Sequence, residues 1–205
     1  MEQSRIYLVT PVARQAFVDL YISDTTPCFG IDAGVLTIKD KKGYIGSMGD
    51  FDSLKNQHQL DGIANIVYLN CEKDDTDTKA AIEYVTKLGY TKITVLGGFM
   101  GKRIDHAIAN YILAFGYPNI EWIDEFSNIV CVNDSIELCQ SDYDYFSLFT
   151  IDHCVVTIEN AKYNLDHYAL KANDPLCVSN TWIDHTDARI SVENGTLLVM
   201  RTKEK

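Results

Sequence analysis

Before Pro118, short apolar runs alternate with segments of helical periodicity, and this alternation restricts the fold more than any other feature of the sequence. Helical patterns occupy 12–20, a stretch from Ser53 onward, 76–90 and 105–116. Strands that alternate with helices in this way predict an α/β domain with a mostly parallel, doubly wound sheet. The apolar runs between them are RIYLVT (5–10), CFGIDAG (28–34), YIGSMGDFDS (44–53), NIVYLN (65–70) and KITVLGG (92–98).

After Pro118 the pattern changes to short β-type runs separated by Asn, Asp and Gly, with no long helical segment. The runs are IEWIDE, NIVCVN, SIELCQ, YFSLFTI, CVVTIEN, ARISVEN and TLLVMRT. Glu193-Asn194-Gly195 predicts a hairpin with a type I′ turn, since Asn-Gly readily adopts positive φ angles. We therefore expect two domains, an α/β domain over 1–119 and an all-β domain of sandwich or barrel type over 120–205.

Charge and composition exclude several classes of function. The formal net charge is −11 and no long run of Lys and Arg occurs, which argues against nucleic-acid binding. The segment MEQSRIYLVT lacks the basic and apolar regions of a signal peptide, and no apolar run approaches the roughly 20 residues that span a bilayer. None of the six cysteines forms a C-x-x-C pair, so free thiols are expected. We expect a cytoplasmic protein with no nucleic-acid or membrane partner.

Acidic side chains follow the predicted strands, where the carboxyl ends of parallel strands converge on one crevice. Asp50 and Asp52 are two residues apart, and carboxylates this close repel each other unless a positive group lies between them. A hard cation such as Mg²⁺ prefers oxygen ligands and meets that need. Any one of these residues taken alone is equally well explained as a helix N-cap, but acids at four strand ends favour a site. In chain order they are Asp32; Asp50 and Asp52; Asp74, Asp75 and Asp77; and Asp105 with His106.

The segment GGFMGKR (97–103) brings glycines and two cations to the same edge of the sheet. It is similar to a Walker A loop, but three residues instead of four separate Gly97 from Gly101, and Arg103 replaces the hydroxyl residue. No G-x-G-x-x-G motif is present either. The glycines still allow a phosphate to approach the backbone closely, so the sequence is compatible with a phosphate site that lacks a standard nucleotide fingerprint.

Three motifs in this order resemble thiamine pyrophosphokinase, also called thiamin diphosphokinase: GDFDS (49–53), KDDTDTKAA (73–81) and GGFMGKRIDHAIAN (97–110). GIDAG (30–34), NAKYNL (160–165) and VSNTW (178–182) are similar to further segments of the same family. The resemblance implies that ATP donates its terminal pyrophosphoryl group to the thiamine hydroxyl, giving thiamine diphosphate and AMP. It also implies a homodimer that holds thiamine between the α/β domain of one subunit and the β domain of the other.

The resemblance further implies roles for individual residues. Such roles suit the reaction, because phosphoryl transfer depends on positioning and on neutralising charge. The implied Mg²⁺ ligands are Asp50, Asp52 and Asp77, and the implied catalytic set adds Arg103 and Asp105. The nucleotide-binding set is Asp32, Asp74, Thr76, Gly98, Lys102, Arg103 and His106, and the thiamine side consists of Tyr163, Ser179 and Asn180.

Two other functions are open from the residues alone. A metal-dependent phosphohydrolase would use the same aspartates and the Asp105-His106 pair, but it predicts a histidine-rich site, and His106 alone of five histidines lies near the cluster. A nucleotide- or thiamine-sensing module would not need so many carboxylates. Replacement of Asp50 by Asn distinguishes a metal ligand, whose loss abolishes transfer, from a cap, whose loss lowers stability.

Overall fold

A computed structural model describes residues 4–54, 56–70, 75–118, 120–140, 142–183 and 186–204. The chain divides into two compact units, Met1–Asn110 and Tyr111–Lys205. The division falls within helix α3 (Ile104–Gly116), nine residues before the expected boundary at 119/120. A continuous helix gives the sequence no break at that point, and the domain limits stay a prediction.

The first unit is built on a parallel sheet, as the strand–helix alternation predicts. Every neighbouring pair of its strands runs parallel, and Leu8 lies opposite Phe29 on one side and Val95 on the other. The strand order reverses beside the first strand, and a ligand crevice is expected where such a reversal occurs. The strands, in the order β4-β3-β2-β1-β5, are Ile66–Tyr68, Tyr44–Gly49, Cys28–Ile31, Arg5–Val9 and Lys92–Leu96.

Helix α2 (Asp77–Lys87) shows why its sequence is helical. The hydroxyl oxygen of Thr76 accepts the backbone N–H of Lys79 at 3.2 Å and caps the first turn. Ala81, Ile82 and Val85 are buried on the face that packs against β1, β2 and β3. Thr76 is therefore the N-cap, and Asp77 lies in the first turn, where the helix dipole favours a negative charge.

The segments predicted to be helical before α2 differ from the prediction. Helix α1 begins at Gln15, three residues after the predicted start at 12, and runs to Tyr21. The helix predicted from Ser53 is wrong, because the described part of this segment holds one short 3₁₀ turn, Gln57–Leu60. Asn56 caps that turn through the N–H of His58, and Leu60 alone in it is buried. One buried residue gives no apolar face along which a longer helix could pack.

The second unit is a sandwich of two antiparallel sheets, as predicted. Side chains from both sheets meet in one core, with Phe146 and Val199 from the first sheet and Val156 and Ile190 from the second. Within this unit, the strands of the first sheet follow the order β6-β7-β13-β9 and are Ile120–Ile123, Ser127–Val132, Leu197–Thr202 and Tyr145–Phe149. The second has the order β11-β10-β12-β8, with strands Leu165–Lys171, His153–Glu159, Ala188–Asn194 and Ser135–Leu138.

The hairpin predicted at Glu193-Asn194-Gly195 is wrong. A turn is present, with a φ of 89° at Gly195, but β12 and β13 belong to different sheets, and β13 pairs with β7 and β9. Leu197, Leu198 and Val199 are all buried. Asn-Gly determines the local bend, whereas three consecutive buried side chains favour a central strand that is covered on both faces.

Within the described ranges, no helix has both the length and the apolar character that a membrane crossing needs.

Candidate active site

A cavity of about 400 Å³ lies at the carboxyl ends of the strands of the first unit. It has the size of a small-molecule site. Segments that follow β1, β2, β3 and β5, together with the start of α2, form its wall, so the predicted convergence of strand ends is observed. The lining residues are Pro11, Ile31, Asp32, Asp50, Thr76, Asp77, Thr78, Asp105, His106, Ala109 and Asn110.

Asp32 is the most buried carboxylate of this wall. It follows β2 directly, has a φ of 46°, and is 8% exposed. The Ser53 hydroxyl donates a hydrogen bond of 2.6 Å to Oδ2, while Oδ1 is buried without a hydrogen-bond partner among the described residues. Burial raises the pKa of Asp32 above its usual value, the nearby charges of Asp77 and Asp50 add to that rise, and the Ser53 hydroxyl opposes it. A nearby cation would stabilise the charged form of this carboxylate.

The GDFDS segment holds its two aspartates apart. Asp50 Oδ1 accepts the backbone N–H of Asp52 at 3.2 Å, and Phe51 between them has a φ of 58°. The Phe51 side chain is buried and packs edge-on against Tyr68 at 5.4 Å between ring centroids. Phe51 therefore anchors the turn, Asp50 lines the cavity, and Asp52 is exposed beyond the cavity lining.

The glycine loop after β5 is held by a residue that sequence reasoning did not single out. Gly97, Gly98 and Gly101 have φ angles of 80°, 127° and 123°, a region in which side chains are strained. The buried side-chain amide of Asn110 donates a hydrogen bond of 2.7 Å to the carbonyl of Gly98. Asn110 also lines the cavity. The signal in the sequence that could have identified Asn110 is a polar residue within the largely apolar sequence of α3.

Arg103 is paired with Asp105 rather than directed into the cavity. Nε lies 3.0 Å from Oδ1, and one terminal nitrogen lies 2.6 Å from Oδ2. The hydrogen bond from Arg103 lowers the pKa of Asp105 to about 2, and the same bond raises the pKa of Arg103, with a smaller contribution from the charge of Asp52. Asp105 and His106 line the cavity, whereas Lys102, Arg103 and Gly98 do not.

The residues of this cavity fit a hard divalent cation. Asp32, Asp50 and Asp77 are oxygen donors on one wall, and Asp32 Oδ1 is a buried acceptor that lacks a hydrogen bond within the described ranges. In the described part of the chain, no three His, Cys, Asp or Glu side chains converge as a ready-made metal cluster. Asp74, also predicted for this site, lies outside the described residues.

The second unit has its own cavity, of about 270 Å³ and mainly apolar. Tyr163 is 60% exposed at this cavity, and the Lys162 ammonium lies 5.4 Å from its ring centroid. Ser179 has a φ of 59° and is exposed, outside the cavity lining. The lining residues are Ile158, Tyr163, Leu165, Leu176, Cys177, Val178 and Asn180.

The side chain of Asn180 is used within the protein. Its Oδ1 accepts the backbone N–H of Tyr163 at 3.1 Å and of Thr181 at 2.9 Å, and its Nδ2 donates to the Tyr163 carbonyl at 2.7 Å. Asn180 therefore fixes the turn that carries Tyr163. Trp182 packs in the sandwich core, where its indole N–H donates to the Leu138 carbonyl at 2.7 Å.

A cavity at the strand reversal of a parallel sheet is typical of α/β proteins that bind a small ligand at that edge. Comparison with known proteins narrows the class. A family model described as thiamin pyrophosphokinase, catalytic domain, matches residues 18–121, and one described as thiamin pyrophosphokinase, vitamin B1 binding domain, matches 134–197. The chain belongs to the thiamin pyrophosphokinase family, and the predicted thiamine diphosphokinase activity is confirmed at the level of the family.

Solved structures agree with this assignment. The chain is similar to thiamine pyrophosphokinase from Bacillus subtilis, with 25% identity and a TM-score of 0.82 over 98% of this chain and 100% of that one. It is also similar to a thiamin pyrophosphokinase family protein from Enterococcus faecalis, with 26% identity and a TM-score of 0.77 over 98% and 100%. Yeast thiamin pyrophosphokinase shares the fold, with 12% identity and a TM-score of 0.75 over 98% and 87%. The comparison with curated proteins gave no match.

Proposed function

We propose that this chain transfers the pyrophosphoryl group of ATP to the hydroxyl of thiamine, with the triphosphate in the 400 Å³ cavity and Mg²⁺ as the accompanying cation. The observation that carries this proposal is the placement of Asp32, Asp50 and Asp77 on one cavity wall. Three carboxylates would repel a polyphosphate, so a cation must accompany it. We propose roles for the individual residues on the same basis.

Asp50, Asp52 and Asp77 would hold the metal, with Asp32 and Asp74 completing the acidic surface that faces it. When bound, Mg²⁺ neutralises phosphate oxygens and so lowers the charge that the attacking hydroxyl must approach. The Thr76–Thr78 segment supplies backbone N–H groups at the N-terminus of α2, which favours an anion. The glycine loop, held by Asn110, offers bare backbone near Gly98 for the same purpose.

Arg103 is proposed to contact the phosphates together with Lys102, while Asp105 and His106 remain at the cavity wall. The guanidinium of Arg103 makes a bidentate hydrogen-bonded contact with the Asp105 carboxylate. Phosphate oxygens can accept the same pair of hydrogen bonds. Arg103 is 70% exposed at the side chain, so an exchange of partners needs no rearrangement of the core. Asp105 would then hold the arginine ready until the triphosphate arrives.

Thiamine is proposed to bind at the cavity of the second unit, where Tyr163 and Ser179 are exposed and Asn180 fixes the turn that carries Tyr163. Stacking and cation–π attraction between the Tyr163 ring and the partly cationic rings of thiamine are worth about 0.5–2 kcal/mol. The apolar lining from Leu176 and Val178 suits the uncharged parts of the substrate.

We further propose a homodimer in which each thiamine is shared between two chains. Ile104, Ile108 and Ile112 recur every four residues along one face of α3 and are 75%, 55% and 58% exposed. Leu176 and Val178 are also exposed, at 58% and 45%. Exposed apolar side chains grouped in this way are typical of an interaction surface.

A cytoplasmic location is part of the same proposal. The cysteines within the described residues (Cys28, Cys131, Cys139, Cys154 and Cys177) are free thiols, and free thiols suit a reducing compartment.

The test is an end-point assay with ATP, Mg²⁺ and thiamine that resolves the nucleotide products. AMP together with an equal amount of thiamine diphosphate is the expected result. ADP with thiamine monophosphate would place the cleavage at the other phosphate bond and refute the proposed reaction. Phosphate release that does not depend on thiamine would favour a phosphohydrolase, and thiamine binding without turnover would favour a sensor.

Metal removal and one substitution sharpen this test. Chelation by EDTA should abolish turnover, and added Mg²⁺ should restore it. Asp50→Asn should lower turnover by at least about 100-fold while the thermal unfolding midpoint changes little. Asp61→Asn is the matched control, because Asp61 is 75% exposed in a surface pair with His58 and lies outside the cavity lining.

A further inference from the structure

Ser53 is the serine of the GDFDS segment, and its hydroxyl makes one hydrogen bond among the described residues. It donates a hydrogen bond of 2.6 Å to Asp32 Oδ2. The bond joins the loop after β3 to the residue that follows β2, across two neighbouring strands. Ser53 itself does not line the cavity, so any effect of its hydroxyl on a bound ligand must pass through Asp32.

The surroundings of Asp32 show that its carboxylate is held at a defined position. Its backbone has a φ of 46°, which lies in the left-handed region and is costly for a residue with a side chain. The backbone of Gly49 approaches so closely that a Cβ built there would lie 2.8 Å from Asp32 Cα. A close backbone approach and an unfavourable φ are maintained at this point, which is typical of a functional position.

The two oxygens of Asp32 are in different situations. Oδ2 accepts the Ser53 hydroxyl, whereas Oδ1 is buried and lacks a hydrogen bond within the described ranges. A hydroxyl can donate one hydrogen bond, so Ser53 fixes one oxygen and leaves the other available. Without that bond, water could solvate Oδ2 but would not fix the rotation of the carboxylate.

We propose that Ser53 is a positioning residue for the transfer reaction, whose hydroxyl fixes the Asp32 carboxylate so that Oδ1 stays available to the cation that accompanies the triphosphate. The inference rests on the proposed function, because it assumes that a metal–triphosphate occupies this cavity. Asp32 would then join the three carboxylates assigned to the cation as a further ligand. A residue that orients a ligand of a bound metal commonly changes metal affinity or activity by about 10–100-fold when it is removed. The merely structural alternative is that Ser53 ties the loop down and affects stability alone.

The test measures Mn²⁺ binding by electron paramagnetic resonance in the presence of a non-hydrolysable ATP analogue and without thiamine, so that no turnover is needed. Ser53→Ala should weaken Mn²⁺ binding by at least about 10-fold, and Ser53→Thr, which keeps the hydroxyl, should stay within about 3-fold of the unchanged protein. In the product assay, the Mg²⁺ concentration for half-maximal rate should rise in Ser53→Ala while the KM for thiamine stays the same.

Ser47→Ala is the matched control. The hydroxyl oxygen of Ser47 is fully buried in β3 and accepts the Tyr44 hydroxyl at 3.2 Å, but Ser47 does not line the cavity. Ser47→Ala also removes a serine hydroxyl, from the strand that precedes Ser53, and should leave Mn²⁺ binding unchanged. Circular dichroism and thermal unfolding give the unfolding midpoint of each variant. Mn²⁺ binding is then compared at a temperature at which all the variants, Ser53→Ala included, are folded.

A double-mutant comparison with Asp32→Asn decides whether Ser53 acts through Asp32. If it does, Ser53→Ala should add no further loss in an Asp32→Asn background, because the oriented carboxylate is already gone. Additive losses, unchanged Mn²⁺ binding in Ser53→Ala, or no Mn²⁺–nucleotide binding by the unchanged protein would each overturn the inference. A protein that binds Mn²⁺ and nucleotide but yields no thiamine diphosphate would refute the proposed function alone, and the Ser53 comparison would still be decided by binding.

Discussion

Replacement of Gly49 by alanine should damage both stability and catalysis, because Gly49, the last residue of β3, lies directly against the backbone of Asp32. The added Cβ would lie 2.8 Å from Asp32 Cα and 3.0 Å from its backbone nitrogen. Ordinary contact begins at 3.4 Å, so the backbones must separate by 3.4 − 2.8 = 0.6 Å. Backbone atoms cannot rotate away as the end of a side chain can, so the strain must be taken up by the strands.

The size of the effect follows from that displacement. Overpacking of this kind costs about 1–3 kcal/mol of unfolding free energy. For a chain of this length each kcal/mol lowers the unfolding midpoint by about 2–4 °C, so the expected decrease is about 2–12 °C. The shift moves Asp32 and also Asp50, which follows Gly49 directly, and a 1 Å misplacement costs about 100-fold in rate. For 0.6 Å we expect about a 10-fold loss in kcat/KM.

Thermal unfolding and steady-state kinetics measure these two effects, with Gly116→Ala as the control. Gly116 ends α3, no atom lies within 4 Å of its built Cβ, and its φ is not positive. Alanine there should leave activity unchanged and raise stability by up to about 1 kcal/mol through its higher helix propensity. If Gly49→Ala unfolds at the same temperature as Gly116→Ala and retains its kcat/KM, the close approach at Asp32 is not a constraint and the reasoning fails.

Three further predictions concern other contacts. Arg103→Ala should return the pKa of Asp105 from about 2 towards its ordinary value near 3.8, as followed by carboxyl ¹³C NMR. Because the pKa of Asp105 is depressed in the folded protein, the pair stabilises the fold above about pH 3.8 and loses that effect as the pH falls to about 2. An Asp105 that still titrates near 2 in the variant would contradict this prediction. Asn110→Ala should lower the free energy of unfolding by about 1–3 kcal/mol, because the Gly98 carbonyl loses its hydrogen bond. The same change should raise the KM for ATP more than the KM for thiamine. Equal changes in both KM values would argue against a phosphate loop. Ile108→Glu should convert the proposed dimer to monomers, as measured by sedimentation velocity. Leu20→Glu, at a residue 79% exposed on α1, should leave the dimer intact. A dimer that survives Ile108→Glu would place the interface elsewhere.

The meeting of Asp32 and Asp50 was predictable because it depends on periodicity alone. Alternating strands and helices give a parallel sheet, and parallel strands deliver the residues after them to one edge. Both residues directly follow a strand, and both line the same cavity. The same reasoning predicted the β-sandwich, since runs such as CVVTIEN bury every second residue on the inner face.

Contacts that depend on a choice between partners were not predictable. Arg103 pairs with Asp105, two residues away, and residue type does not reveal whether a guanidinium on an exposed loop faces a carboxylate or a cavity. Asn180 was predicted for the thiamine side, yet its amide is engaged by the backbone of the turn at Tyr163. The sheet to which β13 belongs was missed for a related reason, since Asn-Gly specifies a bend but not the strand partners beyond it.

The position of β13 has a consequence for synthesis of the protein. This strand is the last in chain order, yet it lies between β7 and β9. Phe149, at the end of β9, precedes Leu197 by 197 − 149 = 48 residues, which at about 5–20 residues per second takes the ribosome about 2–10 s. During that interval β7 and β9 each present an open edge to neighbouring chains. The second unit should therefore depend on protection by chaperones while it is made, and low expression temperature should raise its soluble yield.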